Sequence, residues 1–279
     1  MSDPAYLLLI AGKRVVMLEH AVVVGKFFWN CLNNIPMLGN FPIFNPPQII
    51  KCSGGAVVYV YGANTRMPFH ENDKADTPLT IYAASKKANE AMAHSYAHLW
   101  DIPTTMFRFF TVYGAWGRPD LVLYKFVDAM LEGRPIDIYN NGDMYRDFTH
   151  VKDLVRGIRL LMDVPPVRPT CASDIMEGDS LSPVAPHRVV NIGNSDKVRL
   201  MDFIDAIEQS LGVKAIRNYM PVQPGDVPAT WADTSLLQKL TNYRPQTDFR
   251  AGVDQFVTWF KSYKAELEAE DLHGLESQA

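Results

Sequence analysis

Tyr82 and Lys86 are the two residues whose types and spacing point most directly to chemistry. They stand four residues apart near the start of a predicted helix, so both side chains project from one face, a single turn apart. A nearby ammonium favours the phenolate form of a tyrosine and so lowers the pKa of its phenol. The pair is therefore predicted to work as an acid/base couple near neutral pH.

Tyr-x-x-x-Lys alone is a weak signal, so the prediction depends on the helix, strand and loop that surround the pair. Residues 82–100 have helical periodicity and end before Asp101 and Pro103, after which TTMFRFF predicts a short, buried parallel strand. Ligands of open α/β sheets bind at the carboxyl ends of such strands, which places the loop TVYGAWGRPD beside the pair. The helix is expected to bury an apolar stripe made of Ser85, Ala88, Met92, Tyr96 and Leu99.

The composition is that of a soluble globular protein. The chain has 279 residues, 47% of them hydrophobic, which is enough for one large or two interleaved domains. A net charge of −4 argues against a nucleic-acid-binding surface, and the apolar runs near the N-terminus are too short to span a membrane. Three scattered cysteines and the lack of a basic signal region favour the cytoplasm.

His94 and His98 lie on the same predicted helix with the i, i+4 spacing of a metal-binding pair. No glutamate lies between them and no third ligand is evident from the sequence. We therefore favour a solvated helix face for these two histidines and predict no metal site.

A family resemblance is carried by the run VYGANTRMPFHENDKADTPLTIYAASKKANEAMAHSYAHL and by RFFTVYGAWGRPD. These motifs resemble the extended short-chain dehydrogenase/reductases, and within them the NAD-dependent nucleotide-sugar epimerases, specifically the UDP-glucuronate 4-epimerases. GRPIDIYNNGDMYRDFTHVKDLVRGI, VVNIGN and QPGDVPATWAD follow in the same order. Because several motifs recur in sequence order, the resemblance is specific. It covers roughly residues 57 to 265 and leaves out the first fifty-odd.

The resemblance implies an α/β fold: a Rossmann-like doubly wound parallel sheet, incomplete at the N-terminus, with a smaller α/β substrate domain. Residues 1–113, rejoined by about 146–194, are expected to form the partial dinucleotide-binding domain, and residues 114–145 and 195–279 the substrate domain. VVNIGN predicts a strand that rejoins the main sheet. Residues 164–187 are rich in Pro and Ser and predict an exposed insertion.

The resemblance also implies the ligands and the residues that bind them. Tyr82 and Lys86 would be catalytic and, together with Phe109 and Thr111, would contact the cofactor NAD. The UDP-sugar substrate would be bound by six residues: Thr111, Arg118, Lys125, Arg146, Gln223 and Asp226.

Alternatives stay open for three parts of this set. Arg118 suits a pyrophosphate, but it could instead form a surface salt bridge to Asp120. Arg146 could form a buried ion pair with Asp147 or Asp153, the second of which also matches the family pattern for ribose or phosphate contact. The loop 223–233 could be fixed by its own Asx-turn hydrogen bonds.

The chain departs from the family pattern at two places. Residues 1–52 contain no glycine-rich dinucleotide motif, although LLLIAG and AVVVG could be strands. GGAVVYVYG, at 54–62, predicts a buried strand, and the position of the family's substrate-binding Ser or Thr is Val57. Ser53 could supply that hydroxyl only if the strand slipped by four residues.

The expected reaction is NAD-dependent C4 epimerisation of a UDP-sugar through a 4-keto intermediate, from UDP-glucuronate to UDP-galacturonate. The alternative is an inactive or cofactor-deficient paralogue or fragment that binds UDP-sugar or partners an intact subunit. A dehydratase is disfavoured because Val58 and Tyr59 stand where dehydratases have an Asp-Glu pair. The resemblance further implies a homodimer that pairs through helix 82–100.

Overall fold

A five-stranded sheet forms the centre of the protein in a computed structural model, which describes residues 7–11, 14–19, 50–53, 57–223 and 226–276. The side chains described are those from residue 59 to residue 269 within these ranges. The possible strand AVVVG lies outside the described residues. The strands are β1 Leu7–Ala11, β2 Arg14–Glu19, β3 Ile50–Ser53, β4 Thr104–Phe109, β5 Thr111–Tyr113, β6 Ile136–Ile138, β7 Tyr145–Arg146, β8 Phe148–His150, β9 His187–Ile192, β10 Val198–Arg199, β11 Arg217–Tyr219 and β12 Ala229–Thr230.

Six α-helices are assigned in the described part of the chain. They are α1 Ile81–Trp100, α2 Val122–Leu131, α3 Val151–Leu161, α4 Leu200–Leu211, α5 Ser235–Thr241 and α6 Phe249–Glu276. Gly212 ends α4 in the left-handed conformation, as its position predicts. The last helix begins where expected but continues to Glu276. None of the helices in the described ranges is both long and apolar enough to cross a membrane.

The central sheet has the order β1-β2-β3-β4-β9. Strands β2, β3, β4 and β9 run parallel, whereas β1 pairs antiparallel with β2. Every residue of β4 is buried, as expected for a strand covered on both faces. Residues Thr104–Phe109 pair in register with His187–Ile192, so VVNIGN does rejoin the main sheet. The α/β prediction with a parallel sheet is confirmed.

The strand predicted over residues 54–62 is wrong in position. The strand ends at Ser53, and Val57–Tyr61 form a 3₁₀ helix. Tyr61 explains part of this difference, because its hydroxyl donates to Asn191 Oδ1 at 2.7 Å and its ring stacks on Phe69. Contacts to distant residues therefore fix this aromatic run, and its high β-propensity does not decide its structure.

Helix α1 buries a different face from the one predicted. Its N-terminus is capped by Thr80, whose side chain accepts a hydrogen bond from the Ala83 amide. Two members of the expected stripe, Ala88 and Leu99, are exposed, and the other three are only half-buried. The buried residues are Ala83, Lys86, Glu90, Ala93 and Ala97. Small residues let the helix approach the sheet closely, and the buried Glu90 pairs with Arg108 of β4.

The two histidines of α1 contact the following part of the chain. His94 Nε2 lies 2.7 Å from Ser182 Oγ, and His98 Nδ1 lies 2.7 Å from the Val184 carbonyl oxygen. His98 is exposed, as predicted for a solvated face, whereas His94 is half-buried. The second half of the predicted exposed insertion is also packed, since Leu181 is buried there. Among the described residues, no group of three His, Cys, Asp or Glu side chains is arranged to hold a metal ion.

The described residues form two hydrophobic cores, and along the sequence the first change from one core to the other falls between Val112 and Tyr113. One draws on residues 60–112, 154–164, 190–192 and 232–240 and covers the central sheet. The other draws on residues 113–148, 198–215 and 249–260. The predicted apolar face of α6 is confirmed, because Val253, Phe256, Val257 and Phe260 are all buried in the second core. The boundaries of the two predicted domains stay a prediction.

Candidate active site

Tyr82 and Lys86 lie together at the start of α1. Lys86 Nζ is 5.3 Å from the centroid of the Tyr82 ring. The Lys86 side chain is only 1% exposed, whereas Tyr82 is half-buried. The Thr80 cap fixes the first turn of the helix, and with it the direction in which Tyr82 points. A phenol and an ammonium are thus held side by side in the geometry that the sequence predicts.

The protonation of Tyr82 depends on its other neighbours as well. Burial raises the pKa of the Tyr82 phenol, the positive charge of Arg118 opposes that rise, and Tyr59 adds to it. The net direction is opposite to the one expected from Lys86 alone. Arg118 is therefore electrostatically coupled to Tyr82, although the two residues are 36 positions apart in the sequence.

Tyr59 is a residue of this site that the sequence did not identify. Its ring meets the Tyr82 ring edge to face, with the ring centroids 6.4 Å apart. Burial and the negative charge of Asp226 raise the pKa of the Tyr59 phenol, and the positive charge of Arg146 lowers it. Tyr59 therefore stands between the catalytic candidates and the Arg146–Asp226 pair. The only signal in the sequence is an aromatic residue directly before VYG, where the family carries a small hydroxyl cluster.

Arg146 and Asp226 form an ion pair, with Arg146 Nη2 2.8 Å from Asp226 Oδ1. Both side chains are about four-fifths buried, at 18% and 21% exposed. Parallel pairing of β7 with β12 brings the loop after Gln223 next to Arg146. Two predicted substrate-binding residues are therefore brought together by the fold.

The alternative partners of Arg146 have other roles. Asp147 accepts hydrogen bonds from the backbone amides of Asn194, Ser195 and Ala232, and burial raises the pKa of its carboxyl to about 6. Asp153 accepts hydrogen bonds from the Tyr243 hydroxyl and from the backbone amides of Gln246 and Thr247. The proposed ion pairs of Arg146 with Asp147 or Asp153 are therefore wrong. Each aspartate instead connects two chain segments that support the site.

Arg118 lies in the loop between β5 and α2. Its Nη2 atom pairs with Asp120 Oδ2 at 2.9 Å, so the alternative salt bridge is present. The guanidinium is 41% exposed, yet its Nε atom is buried and has no hydrogen-bond partner among the described residues. This part of the loop lines a small cavity together with Thr111, Gly114 and Phe256. An inward N–H donor beside an exposed one suits a ligand with several anionic oxygens.

The remaining predicted site residues differ in how close the fold brings them. Phe109 is buried at the carboxyl end of β4, and Thr111 follows it with its amide donating to the Asp147 carbonyl oxygen at 3.0 Å. Lys125 is exposed on α2, and Gln223 is exposed with its carbonyl oxygen accepting the Asp226 amide. The ligand contacts of all four residues stay predictions.

The described residues fit one half of a dinucleotide better than the other. Tyr82, the buried Lys86 and the carboxyl end of β4 are suited to a nicotinamide and its ribose. The pyrophosphate of a dinucleotide normally binds where a first strand turns into a helix N-terminus. Here β1 returns directly as the antiparallel strand β2. The described N-terminal strands therefore supply no such turn.

Comparisons with known proteins show which family the chain resembles. Residues 41–169 match the model of the NAD dependent epimerase/dehydratase family. The chain is 53% identical over 201 residues to a probable UDP-glucuronate 4-epimerase of Rhizobium meliloti, covering 72% of this chain and 59% of that one. Protein CapI of Staphylococcus aureus is 48% identical over 220 residues, covering 79% of this chain and 65% of that one.

Solved structures give the same result. The UDP-glucuronic acid 4-epimerase of Bacillus cereus, in complex with UDP-glucuronic acid and NAD, is 27% identical with a TM-score of 0.64. The match covers 77% of this chain and 62% of that one. The chain thus spans about three-fifths of the length of these relatives. By sequence and by fold it belongs to the NAD-dependent epimerase/dehydratase family, within the extended short-chain dehydrogenase/reductases.

Proposed function

We propose that the protein epimerises a UDP-sugar at C4 with NAD as cofactor, converting UDP-glucuronate to UDP-galacturonate. The observation that carries the proposal is the placement of Tyr82 beside the buried Lys86, with Arg118 acting on Tyr82 through its charge and Tyr59 linking Tyr82 to the Arg146–Asp226 pair. The names of the Rhizobium and Bacillus relatives supply the substrate and the cofactor.

The chain's own residues divide the work between proton transfer and binding. Tyr82, as phenolate, takes the proton of the C4 hydroxyl and later returns it, while Lys86 stabilises the phenolate. Arg118 and Arg146 bind the phosphates, and Asp226 orients Arg146 while accepting from the ribose hydroxyls. When bound, NAD supplies the acceptor and donor of the C4 hydride. Thr111, Lys125 and Gln223 complete the substrate contacts in this proposal.

The test combines cofactor content with turnover. The purified chain should release or bind NAD and convert UDP-glucuronate to UDP-galacturonate, measured by chromatography of the nucleotide sugars. Tyr82→Phe should abolish turnover and leave the affinity for UDP unchanged, because the phenyl ring keeps the shape of the helix start. Tyr96→Phe on the same helix is the matched control and should retain activity. Turnover by the Tyr82→Phe variant would rule out the catalytic assignment.

A second candidate function is a cofactor-deficient protein that binds UDP-sugar or partners an intact subunit. The antiparallel β1–β2 hairpin, where a strand-turn-helix unit would hold the pyrophosphate of NAD, favours it. So does Val57 at the position of the family hydroxyl. UDP binding without NAD binding or turnover would select this candidate over the enzyme.

We also propose that the protein is a cytoplasmic homodimer that pairs through α1. The support is the exposed apolar surface of this helix, where Ile81 is 88% exposed and Leu99 is 67% exposed. Light scattering coupled to size exclusion should give twice the chain mass, and Leu99→Lys should give a monomer. A monomeric wild-type chain would contradict the dimer, and fractionation of cells tests the compartment.

We retain the two-domain division as a proposal as well. The two hydrophobic cores support it, although α5 packs with the core of the central sheet. Limited proteolysis should cleave first at connections between the two cores. Cleavage that starts within either core would argue against the division.

A further inference from the structure

Trp116 has an unusual backbone conformation and an unusual exposure. Its φ is +62°, a region that side-chain-bearing residues rarely adopt, and its side chain is 76% exposed. The next residue is Gly117, so a glycine is available one position away but is not used for this turn. Such a conformation persists only where the surroundings hold it in place.

The surroundings that hold Trp116 are two aromatic rings of α6. The Trp116 ring centroid lies 5.3 Å from that of Trp259 and 5.6 Å from that of Tyr263. Trp259 and Tyr263 stack on each other at 5.2 Å, and Trp259 also contacts the buried Phe256. We call Trp116, Trp259 and Tyr263 the aromatic clamp. It ties an exposed loop to a helix that is anchored in the second core.

The clamped loop is the one that carries Arg118. Two backbone hydrogen bonds shape it: the Gly117 amide donates to the Gly114 carbonyl oxygen, and the Leu121 amide donates to the Arg118 carbonyl oxygen. Because Arg118 follows Trp116 by two residues, the left-handed turn at Trp116 sets the direction in which the guanidinium leaves the backbone. The result is a guanidinium with its Nε turned inward and its charge felt by Tyr82.

We propose that Trp116 is a positioning residue, which through the aromatic clamp holds the Arg118 guanidinium in place for the diphosphate of a nucleotide. This inference rests on the proposed function, in which Arg118 binds UDP. The clamp makes no ligand contact itself. The clamp holds the loop between β5 and α2 in place, and that loop in turn positions the Arg118 guanidinium.

UDP alone is the probe, with its affinity for the full chain measured by calorimetry. Arg118→Ala loses a charge-assisted hydrogen bond, so its affinity for UDP should be about 10- to 100-fold lower than that of the wild type. Trp116→Ala should weaken it about 5- to 10-fold, with the same circular dichroism spectrum as the wild type, if a misplaced donor loses part of that interaction. Trp116→Phe keeps an aromatic ring and should recover most of the affinity. Tyr263→Ala should weaken UDP, and Leu267→Ala, one turn further on α6 and exposed, should not.

A double-mutant cycle separates positioning from general support of the fold. If Trp116 acts through Arg118, Trp116→Ala should cause no further loss in the Arg118→Ala background. The inference would be overturned if the loss of affinity in the double variant equalled the product of the two single losses. It would also be overturned if Trp116→Ala bound UDP as tightly as the wild type.

Hydrogen exchange supplies a readout that needs no ligand. The amides of Gly117 and Leu121 should exchange faster in Trp116→Ala than in the wild type, and equal rates would overturn the clamp. If the wild-type chain binds no UDP, or Arg118→Ala binds it as well as the wild type, the proposed function of Arg118 fails. The exchange rates then still decide whether Trp116 holds the loop.

Discussion

The ion pair between Arg108 on β4 and Glu90 on α1 holds the site helix against the central sheet. Arg108 Nε and Nη2 donate to the two carboxylate oxygens of Glu90 at 2.7 and 2.8 Å. The side chains are only 2% and 5% exposed. Burial alone would raise the pKa of the Glu90 carboxyl, but the charges of Arg108 and of Lys87, which pairs with Glu90 at 2.9 Å, lower it. Glu90 lies two helical turns after Tyr82, so the same contact that stabilises the fold also places the site.

Glu90→Gln should be strongly destabilising, because it leaves the Arg108 charge buried without a counterion. Breaking a buried ion pair by removing one partner costs about 3–5 kcal/mol, and the amide of glutamine keeps part of the hydrogen bonding, so about 3 kcal/mol is expected. For a chain of this size each kcal/mol lowers Tm by about 2–4 °C. Thermal unfolding followed by circular dichroism should therefore show a Tm lower by about 6–12 °C.

Glu132→Gln is the matched control. Glu132 pairs with Arg134 at 2.7 Å and with Lys264 at 2.8 Å, but all three side chains are about one-third to one-half exposed, so solvent screens the interactions and the Tm should change little. A double variant, Glu90→Leu with Arg108→Met, removes both charges and should recover part of the loss. A Glu90→Gln variant with the same Tm as the Glu132→Gln variant would refute the reasoning.

Three further predictions concern the buried Glu71, whose carboxylate accepts a hydrogen bond from the Asn191 amide of β9, and two residues of the candidate site. Burial raises the pKa of the Glu71 carboxyl from 4.5 to about 7, so the folded state holds a proton that the unfolded state releases, and stability falls as pH rises through this window. Glu71→Gln should lose that dependence, worth about 3 kcal/mol between pH 4.5 and 7, as measured by unfolding at several pH values; parallel curves would contradict this. Because burial raises the pKa of Tyr82, kcat should rise with pH above neutrality, and Arg118→Gln should move that rise to higher pH. Tyr59→Ser removes the ring beside Tyr82 and should raise the affinity for UDP-glucuronate relative to that for UDP, both measured by calorimetry. Tyr59→Phe should leave the ratio of the two affinities unchanged.

Periodicity and turn chemistry were sufficient to predict the elements that carry Tyr82 and Lys86. The helix that begins near Tyr82 and the stop of α4 at Gly212 both follow from local rules. The buried face of α1 did not follow, because a pattern of apolar residues assigns Lys86 and Glu90 to the surface. The charge that satisfies Glu90 comes from Arg108 on the next strand, and a single sequence does not show that pairing.

The same limit applies to the binding side of the site. Arg146 and Asp226 were each predicted as substrate contacts, but their ion pair spans 80 positions and depends on the pairing of β7 with β12. Tyr59 was overlooked because its importance comes from the 3₁₀ helix at Val57–Tyr61, where β-propensity predicts a strand. Sequence patterns identified residue types suited to a nucleotide sugar, whereas the contacts among them required the fold.

The two halves of the site rest on different parts of the molecule. The phenol and the ammonium lie on α1, which the Glu90–Arg108 ion pair joins to β4 of the central sheet. The phosphate-binding candidates depend on the Arg118 loop, on β7 and β12, and through the aromatic clamp on α6 and the second core. In the proposed function, a substitution in the aromatic clamp would therefore weaken UDP binding, whereas Tyr82→Phe would abolish proton transfer and spare that binding. This division makes a UDP-binding, inactive protein a coherent alternative. The two halves are coupled through the charge of Arg118, which acts on Tyr82, and through Tyr59, whose ring contacts Tyr82.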